Sequence, residues 1–168
     1  MKKGEKFIDV KHVQANADKI KKMVETVKRT AIYVGIPAGS ARPDGDITNS
    51  ELGFIHEYGS PLHNIPARPF LHPSINEAKA ELKEGMREGV QKLFKGDEDG
   101  FNQAYEVVAL KASSVVKNYI TQANFEPLSF ATIRGRMRKN PNQDMDSMKP
   151  LIDTGSMRNA IEGIVVKE

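Results

Sequence analysis

The chain has 168 residues, 39% of them hydrophobic and 28% charged, with a net charge of +3 and a pI near 9.0. That length suits one domain with a modest core, and the mild basicity permits an acidic or nucleic-acid partner without arguing for one. The absence of cysteine excludes disulfides, thiolate zinc sites and cysteine nucleophiles, and points to a reducing compartment. No apolar run approaches the roughly 20 residues of a membrane helix, and the basic start "MKKGEKFIDV" lacks the apolar stretch of a signal peptide.

The alternation in "KFIDVKHV" predicts a short strand over Lys6 to Val10. Asn16 is placed to cap a helix that carries Ala17, Ile20, Val24 and Val27 on one stripe and ends near Arg29. The β-branched and aromatic run Ala31 to Pro37 predicts a second strand. Ala38 to Ser50 is rich in Gly, Pro, Asp and Ser and predicts an exposed, mobile loop. Thr48 or Asn49 can cap a short helix through "ELGFIHEYG", with Gly59 as its stop.

Pro61, Pro66, Pro69 and Pro73 then bias the chain to extended conformations. Pro73 suits a helix's first turn, and Ser74 and Glu77 stand at capping-box spacing. Ile75, Ala78, Leu82, Met86, Val90 and Leu93 form the stripe of that helix, which "KGDEDG" breaks. A second helix starting at Asp99 carries Phe101, Ala104, Val108, Ala112, Val115 and Tyr119, so Ser74 to Gln122 predicts an antiparallel hairpin. After Pro127 the composition shifts: Ser129 to Pro150 has few core-type residues, which predicts a short helix and a long loop near 140–149, whereas Leu151 and Ile152 are placed to pack just upstream of Asp153. "IEGIVVKE" predicts a final strand. The fold class is therefore α+β: a small, mostly antiparallel sheet of about three to five strands packed against a long helical hairpin and an N-terminal helix, in a single domain over 1–168.

Three stretches carry the candidate chemistry. Asp153-Thr154-Gly155 is the tripeptide of aspartic proteases, which need two such carboxylates sharing a proton. This chain has one copy, 13 residues after Gly155, and a largely helical upstream sequence. The tripeptide reads better as a helix start, with Asp153 or Thr154 accepting from free backbone N–H groups. The cations Arg134, Arg136, Arg138 and Lys139 could meet phosphates; their spacing gives one face on an extended segment but not on a helix. In "IPARPFL", Pro66 and Pro69 rigidify a run that offers Phe70 and Leu71 as apolar anchors and Arg68 as a directed charge, around Ile65 and Ala67. It serves either as an internal crossover or as a segment laid on a neighbouring subunit. "HEYGS" at His56 lacks the second histidine of a zinc-protease helix, and His12, His63 and His72 show no ligand spacing. There is no Gly-rich phosphate loop, and Ser40, Ser60 and Ser113 lack a nucleophile-elbow context.

Taken together, "LGFIHEYGS…IPARPFLHPSIN", a helical hairpin, "PLSFATIRGRMRKN" and "KPLIDTGSMRNAI" resemble the neck and tail-completion proteins of tailed bacteriophages, including minor tail proteins of the lambda Z type and Mu G-like virion-morphogenesis proteins. The matching blocks run from about Leu52 to Ile161. The resemblance implies a structural protein rather than an enzyme, without cofactor or metal, located in the virion and in the host bacterial cytoplasm during assembly. It implies self-association as a ring, which needs a head-to-tail interface, and docking to tail-tube, terminator or connector proteins, with no membrane contact. On that expectation the loops near 38–50 and 140–149 order on assembly, and Arg134, Arg136, Arg138 and Lys139 make sequence-independent contacts with passing DNA. A nucleic-acid-binding module built on the same cluster is the alternative.

Overall fold

A computed structural model describes residues 10–42, 46–142, 144–145 and 148–168. Its elements are α1 (Val10–Arg29), β1 (Thr30–Gly35), α2 (Asn49–Tyr58), α3 (Leu71–Phe94), α4 (Glu98–Gln122), α5 (Phe130–Lys139), α6 (Ser156–Asn159) and β2 (Glu162–Lys167). A single turn of 3-10 helix covers Pro61–His63. The fold class is the expected α+β, with antiparallel strands beside a long helical hairpin.

The sheet is smaller than expected. Among the described residues it has two strands, β1 and β2, paired antiparallel from Thr30↔Lys167 to Gly35↔Glu162. The strand expected over Lys6 to Val10 lies outside the described residues, except that Val10 opens α1. Asn16 does not cap α1: the helix already runs through it.

The α3–α4 hairpin is the frame. Gly85 and Gly89, one helical turn apart on α3, let α4 approach closely; a Cβ at Gly89 would stand 3.0 Å from the Ala104 Cβ and 3.1 Å from the Tyr105 ring. Asp97, not Asp99, starts α4, its carboxylate accepting from the Gly100 amide at 2.8 Å. The buried residues of α4 exceed one stripe. Phe101, Val108 and Ala112 lie in the core as expected, and so do Tyr105, Ala109, Val116 and Ile120, while Val115 and Tyr119 are only partly buried. The reason is geometric: α4 packs on α3 along one side and on the sheet along another. At Gly163 the β2 backbone rests on the Ala109 carbonyl, leaving no room for a Cβ.

The start of α3 is also unlike the expectation. Ser74 and Glu77 form no capping box; the helix begins at Leu71, and Ser74 Oγ donates to the Leu71 carbonyl at 2.9 Å. The cap comes from α2. The buried Glu57 carboxylate accepts from the amides of Phe70 (2.7 Å), Leu71 (2.9 Å) and His72 (3.0 Å), and pairs with His72 Nδ1 at 2.7 Å. A carboxylate at a helix N-terminus satisfies free donors and complements the helix dipole. Burial would raise the Glu57 pKa, but the four hydrogen bonds outweigh it and leave it below its ordinary value. Upstream, Thr48 and Glu51 cap α2 reciprocally, and Gly59, at φ 78°, ends it as expected.

The core has three adjoining clusters along the hairpin. One end holds Leu93, Phe101 and Tyr105, against which Met23 and Val27 of α1 pack. The other end gathers Phe70, Val116, Ile120, Leu151, Met157 and Ile161. Leu151, Met157 and Ile161, on either side of Asp153-Thr154-Gly155, thus belong to the core.

Candidate functional site

The three stretches singled out in the sequence meet at this second end, around one cavity of about 540 Å³. Ile65, Pro66 and Arg68 form one wall, Gly135, Arg136 and Lys139 of α5 another, and Asp153, Thr154 and Gly155 a third. Leu52 and His56 of α2, with Arg42, Leu128, Leu151 and Met157, complete most of the lining.

"IPARPFL" is an internal crossover. Ile65 pairs with Ser60 as an isolated β-bridge, the Arg68 amide donates to the His56 carbonyl at 2.7 Å, and Phe70 is 3% exposed in the core. Pro69 precedes the α3 start, and Ala67 lies against Gly59, where a Cβ would meet the Ala67 amide at 2.9 Å. The Arg68 side chain is buried. Its Nε donates to the Glu126 carbonyl at 2.8 Å and its second terminal nitrogen to the Pro127 carbonyl at 2.9 Å. The crossover thereby holds the chain that leaves α4.

α5 is a helix, capped by Ser129, and it divides the basic cluster. Arg134 lies over the Phe130 ring at 4.9 Å, and Arg134, Arg138 and Lys139 are exposed. Arg136 turns inward, its side chain 10% exposed. One of its terminal nitrogens donates to the carbonyls of Lys149 (2.9 Å) and Ile152 (2.8 Å). This clamps the turn in which Leu151 takes a left-handed conformation, φ 62°, a strained state for a leucine. The segment near 140–149 is therefore tied down at its end: Lys149 Nζ also donates to the Thr121 carbonyl at 2.8 Å, and Met148 is buried.

Asp153 does not cap α6. Its carboxylate stands 3.4 Å from Arg136 Nε, and the position before α6 is Gly155 at φ 79° with no side-chain cap. Thr154 Oγ1 accepts from the Ser156 amide at 3.3 Å, so of the two expected acceptors only the threonine serves the helix start. The left-handed turn needs glycine, and the nearby buried arginine claims the carboxylate.

The histidines separate by environment. His63 Nδ1 bonds Ser60 Oγ at 2.9 Å and His72 bonds Glu57; the His12 side chain lies outside the described residues. His56 lines the cavity, and its Nδ1 is buried without a hydrogen-bond partner among the described residues. Burial first, then the positive charges of Arg68, Arg136 and Arg42, push its pKa from 6.5 down to about 4, so it is neutral at pH 7. Among the described residues no three His, Asp or Glu side chains gather in a metal-binding group, and no helix is long and apolar enough to cross a membrane.

No protein-family model, curated protein or solved structure matches this chain.

The cavity thus has four cationic side chains, Arg42, Arg68, Arg136 and Lys139, against the single carboxylate of Asp153. Sequence reasoning found Arg68, Arg136, Lys139 and Asp153 but not their convergence. Arg42 and His56 carry no sequence signal of their own, because only the tertiary fold, with α2 packed on α6, brings them to the cavity.

Proposed function

We propose that this chain is a structural component of phage or prophage head–tail joining or tail completion, acting by self-association and by docking to tail or connector proteins rather than by catalysis. Beyond the resemblance of the sequence blocks, the reading rests on one observation: apolar surface without cover. Val13 (55%) and Ile20 (52%) on α1 are more than half exposed, although they lie on the stripe whose later residues, Met23 and Val27, pack on the core. On the outer side of the two-stranded sheet, Tyr33 (53%) and its cross-strand partner Ile164 (49%) are also open. Both strands are edge strands, each with one free hydrogen-bonding margin among the described residues. Exposed apolar patches of this kind mark association sites.

Helix α5 weakens the nucleic-acid alternative, because it turns Arg136 inward and leaves only Arg134 and Arg138 together on one exposed face, one turn apart, with Lys139 off to the cavity side. Sedimentation of the purified protein, alone and mixed with tail tubes or connectors, tests the assembly reading. Concentration-dependent oligomers or co-sedimentation are expected; a strict monomer in every mixture would overturn it. Duplex binding that weakens steeply with salt would favour the alternative.

A further inference from the structure

We propose that the cavity between α2, α5 and the Pro150–Gly155 segment is a docking site for an acidic peptide segment of a partner protein, taking a carboxylate against Arg136, Lys139 and Arg42 and a neighbouring apolar side chain against Leu52, Ile65 and Met157. The charge balance is the first argument. No carboxylate among the described residues pairs with Arg42, Arg68 or Lys139, and Arg136 shares a single, partly exposed one. Of these, Arg68 and Arg136 are buried or recessed; confined cations with so little counter-charge are costly, and an incoming anion relieves that cost. The second argument is unused hydrogen-bonding capacity. Arg136 and His56 both line the cavity, and Arg136 Nε and His56 Nδ1 are buried behind it without a hydrogen-bond partner among the described residues. Arg136 Nε faces Asp153 only at 3.4 Å, long for a charge-assisted bond.

The shape selects the ligand class. At about 540 Å³ the cavity is in the size range of small-ligand sites, and its lining includes apolar side chains as well as the cations. Arg136 is recessed, its side chain 10% exposed. A duplex presents its phosphates on a broad, rigid cylinder that cannot enter such a recess, whereas a flexible peptide can insert a carboxylate with an apolar neighbour. The site stands apart from the assembly reading above, since peptide capture and self-association use different surfaces and are measured separately.

The test is a titration of the full chain, followed by NMR of the Arg136 Nε–Hε and His56 ring resonances. The probes are N-acetyl Ala-Leu-Glu, its uncharged glutamine amide counterpart, inorganic phosphate and a short DNA duplex. The acidic peptide should shift both resonances saturably, and the amide should bind about tenfold more weakly or worse, the loss expected for a charge-assisted hydrogen bond. Arg42→Gln with Lys139→Gln should weaken the peptide by about tenfold with no change in thermal stability, because neither side chain holds the fold. Lys21→Gln with Lys22→Gln on α1 should leave affinity unchanged. The proposal is overturned by absence of shifts at millimolar peptide, by equal affinity for the amide, or by phosphate binding as tightly as the peptide, which would mean a bare anion site. Displacement of the peptide by duplex would equally overturn it in favour of nucleic-acid contact.

Discussion

Two neighbouring residues of α2, His56 at the cavity and Glu57 at the start of α3, titrate in successive pH windows, and the sign of each follows from the fold. His56 takes a proton near pH 6.5 when unfolded and near 4 when folded. Between these values the unfolded chain binds the additional proton, so lowering the pH from 6.5 toward 4 removes stability, on the order of 2–3 kcal/mol in all. Glu57 has a lowered pKa in the fold, so its contribution is present above about 4.5 and is lost as the pH falls further. Urea denaturation across pH should therefore show two successive declines. His56→Gln should flatten the first and leave the second; an unchanged slope between pH 6.5 and 4 would show that His56 is protonated in the fold. Arg68 makes a different prediction at the same scale. Arg68→Ala should cost about 2–3 kcal/mol, because it removes a buried guanidinium and its two charge-assisted hydrogen bonds to the carbonyls of Glu126 and Pro127. A loss below 0.5 kcal/mol, the scatter of ordinary surface changes, would mean that water replaces the guanidinium. Such roles are hidden in the sequence: Asp153 reads as a cap because caps are local, and its partner Arg136 lies seventeen positions upstream.

At the scale of elements, what could be read from the sequence was what local spacing determines. The cap of α2 at Thr48, offered there beside Asn49, the Gly59 stop and the α3–α4 hairpin all follow from neighbours within one or two turns. What could not be read depends on a second element: the α3 cap supplied by Glu57 from α2, and the second buried face of α4, created by a sheet that forms from strands over 125 positions apart in the chain. The Gly163 contact belongs here too. Gly163→Ala would drive a methyl group into the Ala109 carbonyl, backbone against backbone, and should destabilise by about 3 kcal/mol or more by prying β2 from α4. Gly35→Ala, in the paired strand at a site with open space, should change stability by less than about 0.5 kcal/mol. Thermal unfolding of the two variants checks the pair; equal losses would show that strand propensity rather than the α4 contact decides.

At the scale of the whole molecule, the buried core stands apart from the exposed apolar residues, of which those on α1 and the sheet are one group and Phe54, Leu62, Leu110 and Phe130 lie elsewhere. The core runs along the hairpin and ends at the cavity, where IPARPFL, α5 and the Asp153 turn lock one another. The outer system, Val13 and Ile20 on α1 with Tyr33 and Ile164 on the sheet, makes no comparable contact in the monomer. If the core alone sets folding and the outer system sets association, they separate by mutation. Ile20→Asp with Tyr33→Asp places two charges where no buried partner is lost, so folding stability should change by no more than about 0.5 kcal/mol per site. In an association interface the same charges would be desolvated without partners, a penalty of several kcal/mol that shifts a dissociation constant by two or more powers of ten. Sedimentation velocity over a concentration series, run beside urea denaturation, reads both. Oligomers lost at unchanged stability assign these surfaces to assembly; oligomers that persist in the double variant would move the interface elsewhere on the molecule.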